Sequence, residues 1–578
     1  NELIFKAFAI IREVSSRTLN KRHFDVQLFA GWLMIKGQLA EMATGEGKTL
    51  STSLPACTAA LAGIPVHVIT ANDYLAERDA QTLQPLYQGL GIAATAVVES
   101  MDAQQRRVGY TADIVHTTNK QIAFDYLRDR ITIGEDTGPL RLKFRQIHNR
   151  QKSEGLSIGL LPGLCFALVD EADNVLVDEA NTPLIITKSL PSELDDQHYA
   201  DALYLASNLL INYDYKIDSQ NKTAELTGEG EGSLAELSLS MPKFWHSQRR
   251  CHALVVQALI AVNHYKKDRD YIIHADKIHI VDQSSGRTMA DRSWEQGLHQ
   301  MIEAKEGCSI SFPREPVARI SYQRFFSRYL HLAGTSGTIR EVAGELEHVY
   351  GLYIKKVPTH QPSKRIFFSE RVYRDKNAQR TALIKRVKQI LAKDRPILIG
   401  TTSVIESETV SKWLQQNKIL HRVLNAKQNR NEAKIIAQAG QKRAVTVATN
   451  MAGRGTDIAL GKGINAKGGL HVIAVGVNNS SRVDRQLYGR CARQGDNGSA
   501  EAILSLEDPV LVNHYSSTTL KLLNKLTTKN RPMPRVISKW VLGRYQYHFE
   551  KHQSLIRKRL VKQDKLLQRV LAFAGKFE

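Results

Sequence analysis

A glycine-rich run at residues 44–49, Thr-Gly-Glu-Gly-Lys-Thr, constrains this chain more than any other feature. Its glycines let backbone N–H groups approach phosphate oxygens, and a helix that follows would aim its N-terminus at them. Lys48 would reach the β- and γ-phosphates, and the Thr49 hydroxyl would be a Mg²⁺ ligand. Met42 stands where the longer phosphate-loop pattern has glycine, so the run matches the shorter form of helicase-like motors. The alternative is a glycine-rich turn that binds nothing.

Short apolar segments alternate with helix-forming segments in two parts of the chain. The strand-like segments are residues 66–70, 113–117, 166–170, 396–400, 445–449 and 470–474. Buried strands that alternate with helices form parallel sheets covered on both faces. We therefore predict two α/β domains, one in the first third and one from about residue 380.

The stretch after about residue 190 has a different pattern. Residues 213–217 and the segment before Leu226 alternate around the polar residues 219–222, which predicts a hairpin. Residues 271–274 and 278–281 predict a second hairpin that turns at Ala275 and Asp276, and residues 254–260 suit a helix between the two. This mixed α and β region has the character of an insertion.

The charge of the chain indicates an acidic partner. Its 578 residues include 79 Lys and Arg against 58 Asp and Glu, a net charge of +21. A strongly basic protein usually binds nucleic acid, anionic lipid or an acidic protein. Residues 531–578 carry 12 of the basic residues against 3 acidic ones, and their spacing predicts a long basic amphipathic helix.

Composition also excludes several classes of protein. A hydrophobic fraction of 42% excludes a disordered chain. The five cysteines are scattered without a C-x-x-C pair, which argues against a disulfide scaffold or a zinc site and favours a reducing compartment. No apolar segment approaches ~18 residues and the N-terminus lacks a secretory pattern, so we expect neither a membrane span nor a signal peptide.

An acidic pair, Asp170 and Glu171, follows a nearly all-apolar strand. An acid at the carboxyl end of a parallel strand can hold Mg²⁺, and its neighbour can activate water. We assign Asp170 to the metal and Glu171 to the general base. The alternative is an acidic N-cap of the next helix, which the phosphate loop upstream makes less attractive.

A pair of arginines, Arg490 and Arg493, lies in the second α/β part. If this segment is helical, both side chains share one face and could reach the γ-phosphate across a cleft as arginine fingers. The alternative is a solvated basic helix face. Asp457 ends a glycine-rich loop after the strand at 445–449, which places it near the nucleotide. Together these motifs predict a two-lobed motor in which ATP holds the lobes together and hydrolysis releases them.

With these motifs the chain resembles the SecA family, the ATPase motors of bacterial preprotein translocation. The family's Leu-Ala-Glu-Met-x-Thr-Gly-Glu-Gly-Lys-Thr stands at residues 39–49, and the blocks 169–186 and 450–458 are close to diagnostic. Further similar segments are 23–28 (an adenine-recognising Q motif), 72–79, 124–129, 286–289, 297–300 and 332–338. The resemblance runs along essentially the whole chain in collinear order.

The resemblance implies a fold and a set of domains. The fold is α/β: two RecA-like parallel-sheet motor domains, an inserted α+β preprotein cross-linking domain and a C-terminal helix. The first motor domain would be residues 1–189 with 319–362, and the second 363–515. The cross-linking domain would be 190–318, and 516–578 the start of a helical scaffold.

The resemblance also implies site residues. The nucleotide would be bound by Gln27, Gly45, Glu46, Gly47, Lys48, Thr49, Arg454 and Asp457. Glu171 would be the base, Lys48, Arg490 and Arg493 would act on the phosphates, and Thr49 and Asp170 would hold Mg²⁺. Of these roles, that of Gln27 comes from the resemblance alone.

The implied function is an ATPase that drives post-translational protein translocation across the bacterial inner membrane with the SecY channel. The expected location is the cytoplasm and, peripherally, the cytoplasmic side of that membrane. Expected partners are unfolded preprotein, a SecYEG-type channel and an anionic membrane surface, with a homodimer as one assembly. The alternatives are a superfamily 2 nucleic-acid helicase and a non-hydrolysing adaptor. The preprotein-type insert argues against the first, and the intact motor motifs against the second.

The sequence departs from the family pattern at several points. Asn181 replaces a usual Arg, Tyr488 another, and Cys491-Ala492 a usual Ser-Gly. Family members are typically acidic and continue into a helical wing, a two-helix finger and a cysteine-based zinc motif. The sequence therefore predicts either a fragment or a naturally short, divergent SecA.

Overall fold

The computed structural model describes most of the chain: residues 1–133, 159–189, 194–218, 222–274, 276–281, 288–289, 293–294, 297–312, 314–424, 435–436, 438–449, 457–527 and 531–573. The described residues divide into two compact units. The larger unit comprises Asn1–Ile186 and Ala318–Glu578, and the smaller one Thr187–Val317. The boundaries expected above for the functional domains stay predictions.

The helices follow in chain order. They are α1 (Glu2–Leu19), α2 (Asp25–Ile35), α3 (Lys48–Leu61), α4 (Asp73–Gly89), α5 (Ala103–Gly109), α6 (Asn119–Ile133), α7 (Asp196–Ser207), α8 (Gly228–Leu239), α9 (Gln248–His264), α10 (Leu298–Glu306), α11 (Tyr322–Phe326), α12 (Ala343–Tyr350), α13 (Lys376–Leu391), α14 (Val404–Gln416), α15 (Ser481–Tyr488), α16 (Pro509–His514), α17 (Ser517–Lys525) and α18 (Arg535–Phe573).

The strands are numbered in the same way. They are β1 (Leu39–Glu41), β2 (Val66–Thr70), β3 (Ala94–Val97), β4 (Ile114–Thr118), β5 (Phe166–Val169), β6 (Leu184–Ser189), β7 (Tyr215–Asp218), β8 (Thr223–Leu226), β9 (Tyr271–His274), β10 (Lys277–Val281), β11 (Thr288–Met289), β12 (Arg314–Ile320), β13 (His331–Ser336), β14 (Ile354–Lys356), β15 (Lys364–Phe367), β16 (Arg371–Tyr373), β17 (Ile397–Thr401), β18 (Arg422–Leu424), β19 (Val445–Thr449), β20 (Leu470–Ala474) and β21 (Asn497–Ser505).

The first lobe is built on a seven-stranded sheet in the order β14-β1-β13-β5-β2-β4-β3. Each neighbouring pair in it is parallel. Residues of β2 and β4 are buried on both faces, which is why these strands appear in the sequence as unbroken apolar runs. The order places β13, which lies after the insertion in sequence, between β1 and β5. The loops that follow these three strands therefore meet at one edge of the sheet.

The second lobe has a parallel sheet of its own, in the order β15-β21-β20-β17-β19-β18. β16 continues along β21. The strands predicted at 445–449 and 470–474 have those bounds, and the strand predicted at 396–400 is shifted by one residue. The predicted fold class of two parallel-sheet motor lobes is confirmed.

The smaller unit is α+β, as predicted. β7 pairs with β8 and β9 with β10, both antiparallel, and β11 extends the second hairpin. The predicted turn residues 219–221 and Ala275 lie outside the described residues. Helices α7, α9 and α10 supply the core, in which Trp245 and Tyr271 are fully buried.

The long helix α18 packs on both lobes of the larger unit. In the second lobe, the Tyr545 hydroxyl donates to Asn479 Oδ1 at 2.7 Å. In the first lobe, buried Arg557 forms an ion pair with Glu345 and donates to Asn181 Oδ1 at 3.1 Å. One face of the helix thus packs against the two lobes, while Trp540 and Tyr547 are exposed. Among the described residues, no helix combines the length and apolar character that a membrane span requires.

A buried ion cluster joins three strands and a helix of the second lobe. Glu501 on β21 accepts from His471 of β20 at 2.7 Å and also pairs with Arg371 of β16 and Arg386 of α13. Burial by itself would raise the pKa of Glu501, but hydrogen bonds from His471 and Arg386 lower it to about 2. The cluster therefore depends on an ionised carboxylate.

Replacing this carboxylate should destabilise the second lobe. We expect Glu501→Gln to lower the free energy of unfolding by about 3 kcal/mol at pH 7, because it leaves the partly buried Arg371 and Arg386 without their anion. The Glu501 pKa is depressed in the folded state, so this stabilisation is complete above about pH 4.5 and is lost as the pH falls toward 2. Urea unfolding at several pH values measures the difference. Glu236→Gln, on the exposed side of α8, is the control, and equal urea midpoints for the two variants would contradict the expectation.

Candidate nucleotide-binding site

The phosphate loop connects β1 to α3. Gly45 and Gly47 have φ values of +89° and +78°, in the left-handed region that favours glycine. Gly47 is the N-cap of α3, so Lys48 and Thr49 lie in the first turn of that helix. The loop and the helix N-terminus together form the anion-binding geometry that the sequence predicted.

Gln27 forms a hydrogen bond with this loop from inside the lobe. Its side chain is buried, its Nε2 donates to the Glu46 carbonyl at 2.8 Å, and its Oε1 accepts from the Phe24 N–H at 2.9 Å. A Cβ at Gly47 would lie 2.4 Å from Gln27 Nε2, so the loop needs glycine there for a second reason. In this structure the Gln27 amide acts on the loop itself.

Glu46 and Phe24 tie the loop to the segment that links the two lobes. The Glu46 carboxylate accepts from the His360 N–H at 2.9 Å. The rings of Phe24 and His360 stack with their centroids 3.8 Å apart. Sequence reasoning missed His360, since no motif marks it. Phe24 could have been found from its place inside the segment that resembles the Q motif.

The acidic pair stands at the carboxyl end of β5, as predicted. Asp170 Oδ1 accepts from the Thr335 hydroxyl at 2.8 Å and from the Glu171 N–H at 2.9 Å. Both of these bonds use Oδ1. Glu171 has a backbone φ of +52°, which is strained for a residue other than glycine. Residues strained in this way are concentrated at functional sites.

Asp173, which the sequence analysis left without a role, joins both lobes. Its carboxylate accepts from Ser336 at 2.8 Å and Thr338 at 2.9 Å in the first lobe. It also accepts from Gln486 of α15 in the second lobe and lies 3.5 Å from Arg482 of the same helix. Its place three residues after Asp170, in an acidic block at a strand end, is the signal that could have identified it.

The segment that carries Arg490 and Arg493 is not helical. Helix α15 ends at Tyr488, and Ala492 and Gln494 have left-handed φ values of 53° and 49°, so the segment is an irregular turn. Arg493 nevertheless reaches the site: it forms an ion pair with Asp457, and its Nε donates to the Gly489 carbonyl at 3.1 Å. Its stem packs on Gly45, where a Cβ would lie 2.6 Å from Arg493 Cδ.

The structure brings most of the predicted residues to one cleft. Its lining includes Gly45, Gly47, Lys48, Thr49, Asp170, Glu171, Asp457, Arg490 and Arg493. Gln27 and the loop residue Glu46 do not line the cleft; Gln27 instead donates to the Glu46 carbonyl. Arg454 lies outside the described residues. The catalytic and binding roles of these side chains stay predictions.

A buried acid lies next to the predicted metal ligand Thr49. Asp79 shares a small cavity with Thr49 and Asp170 and forms an ion pair with Arg78 at 2.6 Å. Burial raises the pKa of Asp79 to about 6, although Arg78 and Thr49 oppose that shift. Sequence reasoning placed Asp79 inside a family-like motif without assigning it chemistry.

Comparisons with known proteins agree on one family. The SecA DEAD-like domain matches residues 1–347, and the SecA P-loop domain matches residues 362–467 and 462–531. Protein translocase subunit SecA 2 of Bordetella avium is 45% identical over 570 residues, which cover 99% of this chain and 86% of that protein. Protein translocase subunit SecA 3 of Magnetococcus marinus is 43% identical over 585 residues, covering 100% and 87%.

Helicases are found among the similar solved structures. Mss116p bound to single-stranded RNA and AMP-PNP is 12% identical, with a TM-score of 0.41, and the match covers 91% of this chain and 76% of that one. A likeness of this size carries no functional argument.

A side chain at Gly45 should impair nucleotide binding. Gly45→Ala forces a Cβ into a left-handed backbone and against the Arg493 stem, and we expect ADP affinity to fall about 10-fold. Titration with a fluorescent ADP analogue measures this. The control is Gly63→Ala, which has a similar φ of +75° but no heavy atom of the described chain within 4 Å of its Cβ position. The expectation fails if both variants lose affinity equally.

Proposed function

The chain belongs to the SecA family of protein translocase subunits, and from this premise we propose how its cleft works. Like its relatives, the protein is an ATPase motor for protein translocation. One observation carries the mechanism below: the phosphate loop, the strand-end acids and the arginine segment of the other lobe line one cleft.

The loop side of the cleft would hold the phosphates of ATP. Backbone N–H groups of residues 45–49 and the Lys48 ammonium supply donors and positive charge at the N-terminus of α3. Thr49 and Asp170 are oxygen donors of the type that Mg²⁺ prefers, and they would hold this ion. When bound, Mg²⁺ neutralises charge on the phosphate oxygens.

Glu171 would be the general base. In hydrolysis a water oxygen attacks the γ-phosphorus, the bond from phosphorus to the β,γ-bridging oxygen breaks, and ADP leaves. Glu171 would accept the proton that the attacking water loses. The left-handed φ of Glu171 supports this role, because such values in non-glycine residues are concentrated at functional sites. The Glu171 N–H also donates to Asp170 Oδ1 at 2.9 Å, which holds the two acids together.

The second lobe would supply positive charge to the γ-phosphate. Arg490 and Arg493 line the same cleft as the phosphate loop residues, and Arg493 forms an ion pair with Asp457. Both guanidinium groups would stabilise charge on the transferring phosphoryl group. Hydrolysis would remove that attraction and allow the lobes to separate, which is the population shift that drives a motor.

We further propose the partners of this motor. The substrate would be unfolded preprotein, and the channel a SecYEG-type complex at the cytoplasmic side of the bacterial inner membrane. The net charge of +21, with a basic α18, supports binding to an anionic membrane surface. Assembly as a homodimer belongs to the same proposal.

The nucleic-acid helicase alternative is not favoured. Both family matches and the curated relatives are translocase subunits along nearly the full length of this chain. A basic charge alone does not separate the two functions, because both RNA and anionic lipid attract it.

ATPase stimulation tests the translocation proposal. We expect turnover to rise at least several-fold when unfolded preprotein and channel-containing inner-membrane vesicles are both added. Protein-free vesicles of the same lipid composition are the control. Stimulation by RNA at physiological salt, with none by preprotein and channel, would instead establish the helicase alternative.

Glu171→Gln tests the assignment of the base. The substitution keeps the size of the side chain and one acceptor oxygen but removes the basic carboxylate, so we expect kcat to fall about 100-fold or more while ATP binding is retained. The matched control is Glu77→Gln, an exposed position on α4, which should retain full turnover. Undiminished turnover in Glu171→Gln would overturn the assignment.

A further inference from the structure

The carbonyl of Gly489 is a junction between the phosphate loop and the arginine segment. It accepts from the Thr44 hydroxyl of the first lobe at 2.7 Å and from Arg493 Nε at 3.1 Å. Gly489 is also the C-cap of α15, so its carbonyl lies at the negative end of that helix. The Gly489 carbonyl therefore accepts from a residue of the loop that would hold phosphate and from an arginine that would act on that phosphate.

Gly489 is the residue that permits this contact. A Cβ at this position would lie 2.3 Å from Thr44 Oγ1 and 3.0 Å from the Arg485 carbonyl. Any larger residue would push the loop away from the helix end. The glycine thus allows the close approach of the two lobes, although its own φ of −65° is ordinary.

A second hydrogen bond holds the other end of the segment. Gln494 Nε2 donates to the Gly45 carbonyl at 2.9 Å. Consecutive residues of the phosphate loop, Thr44 and Gly45, are therefore bonded to residues 489 and 494. Arg490 and Arg493 lie between these two attachment points, in the irregular turn that follows helix α15.

We propose that Thr44 is a positioning residue for ATP hydrolysis, which acts through Gly489 and Arg493 rather than on the nucleotide. Its hydroxyl aligns the helix end with the phosphate loop, so the arginines are correctly placed only when that loop has its phosphate-binding shape. Gln494 assists at the far end. This inference rests on the proposed hydrolytic roles of the cleft, and it does not depend on the translocation partners.

Thr44→Val and Thr44→Ser provide the direct test, read on basal ATPase activity. Valine keeps the shape and removes the hydroxyl; serine keeps the hydroxyl. Loss of one neutral hydrogen bond predicts a kcat about 3- to 10-fold lower for Thr44→Val, with KM and ADP affinity changed less than about 2-fold. Thr44→Ser should recover most of the rate. Thr381→Val, on the exposed face of α13, is the matched control and should behave as the parent protein.

A double-mutant cycle separates positioning from general stability. Arg493→Lys removes the Nε donor to Gly489 and retains a positive charge. If Thr44 acts through Arg493, Thr44→Val should lower kcat much less in the Arg493→Lys background than in the parent. Thermal melting of each variant shows whether it is folded. Gln494→Leu removes the hydrogen bond to the Gly45 carbonyl at the other attachment point, and we expect a fall in kcat of similar size.

Three results would overturn the proposal: an unchanged kcat in Thr44→Val, an equal loss in Thr44→Ser, or the same fold-loss from Thr44→Val in both Arg493 backgrounds. Failure of the translocation proposal would look different. In that case the Thr44 series would show its effect on basal hydrolysis, while preprotein and channel would not stimulate the parent protein.

Discussion

The parallel register of β1, β13 and β5 is the constraint on which the rest of the motor depends. In these neighbouring strands Glu41 lies beside Ser336, and Gly334 beside Val169. Because the strands run the same way, their carboxyl ends deliver the phosphate loop, Thr335 and Asp170 to one edge. The hydrogen bond from Thr335 to Asp170 is possible only because β13 enters the sheet between the other two, after the chain has completed the smaller unit.

The contact between the lobes is polar, and the arginine at its centre is buried. Asp173 and Asp178 face Arg482, which is 4% exposed, and Glu41 pairs with Arg485. Buried charges that lose their partners are strongly unfavourable, so intermediate arrangements are disfavoured relative to a fully made contact. The same helix α15 that carries these residues ends at Gly489, beside Thr44. The helix that makes the ion pairs between the lobes therefore also leads directly into the segment that carries the arginines.

Much of the fold could be predicted because buried parallel strands are apolar on both faces. The strands at 66–70, 445–449 and 470–474 were predicted with their observed bounds. The short strand β1 and the strand β13 were harder to predict, because β1 has three residues and β13 is separated from its sheet by the smaller unit. Whether Arg490 and Arg493 share a helix face could not be read from their spacing, and left-handed residues at 492 and 494 show that the segment after Tyr488 is not helical.

By itself the sequence identified the residue types that line the cleft: glycines with an adjacent Lys48 and Thr49, two acids after an apolar strand, and two arginines. These are the residue types that a site for phosphate and Mg²⁺ requires, so they can be recognised from the sequence. Only the tertiary structure decided which groups hold them in place. Gln27 acts on the loop, Asp173 joins the lobes, and Thr44 contacts a carbonyl 445 residues away in sequence. Such partners are set by strand order and lobe packing, which bring together residues whose separation in sequence carries no signal of contact.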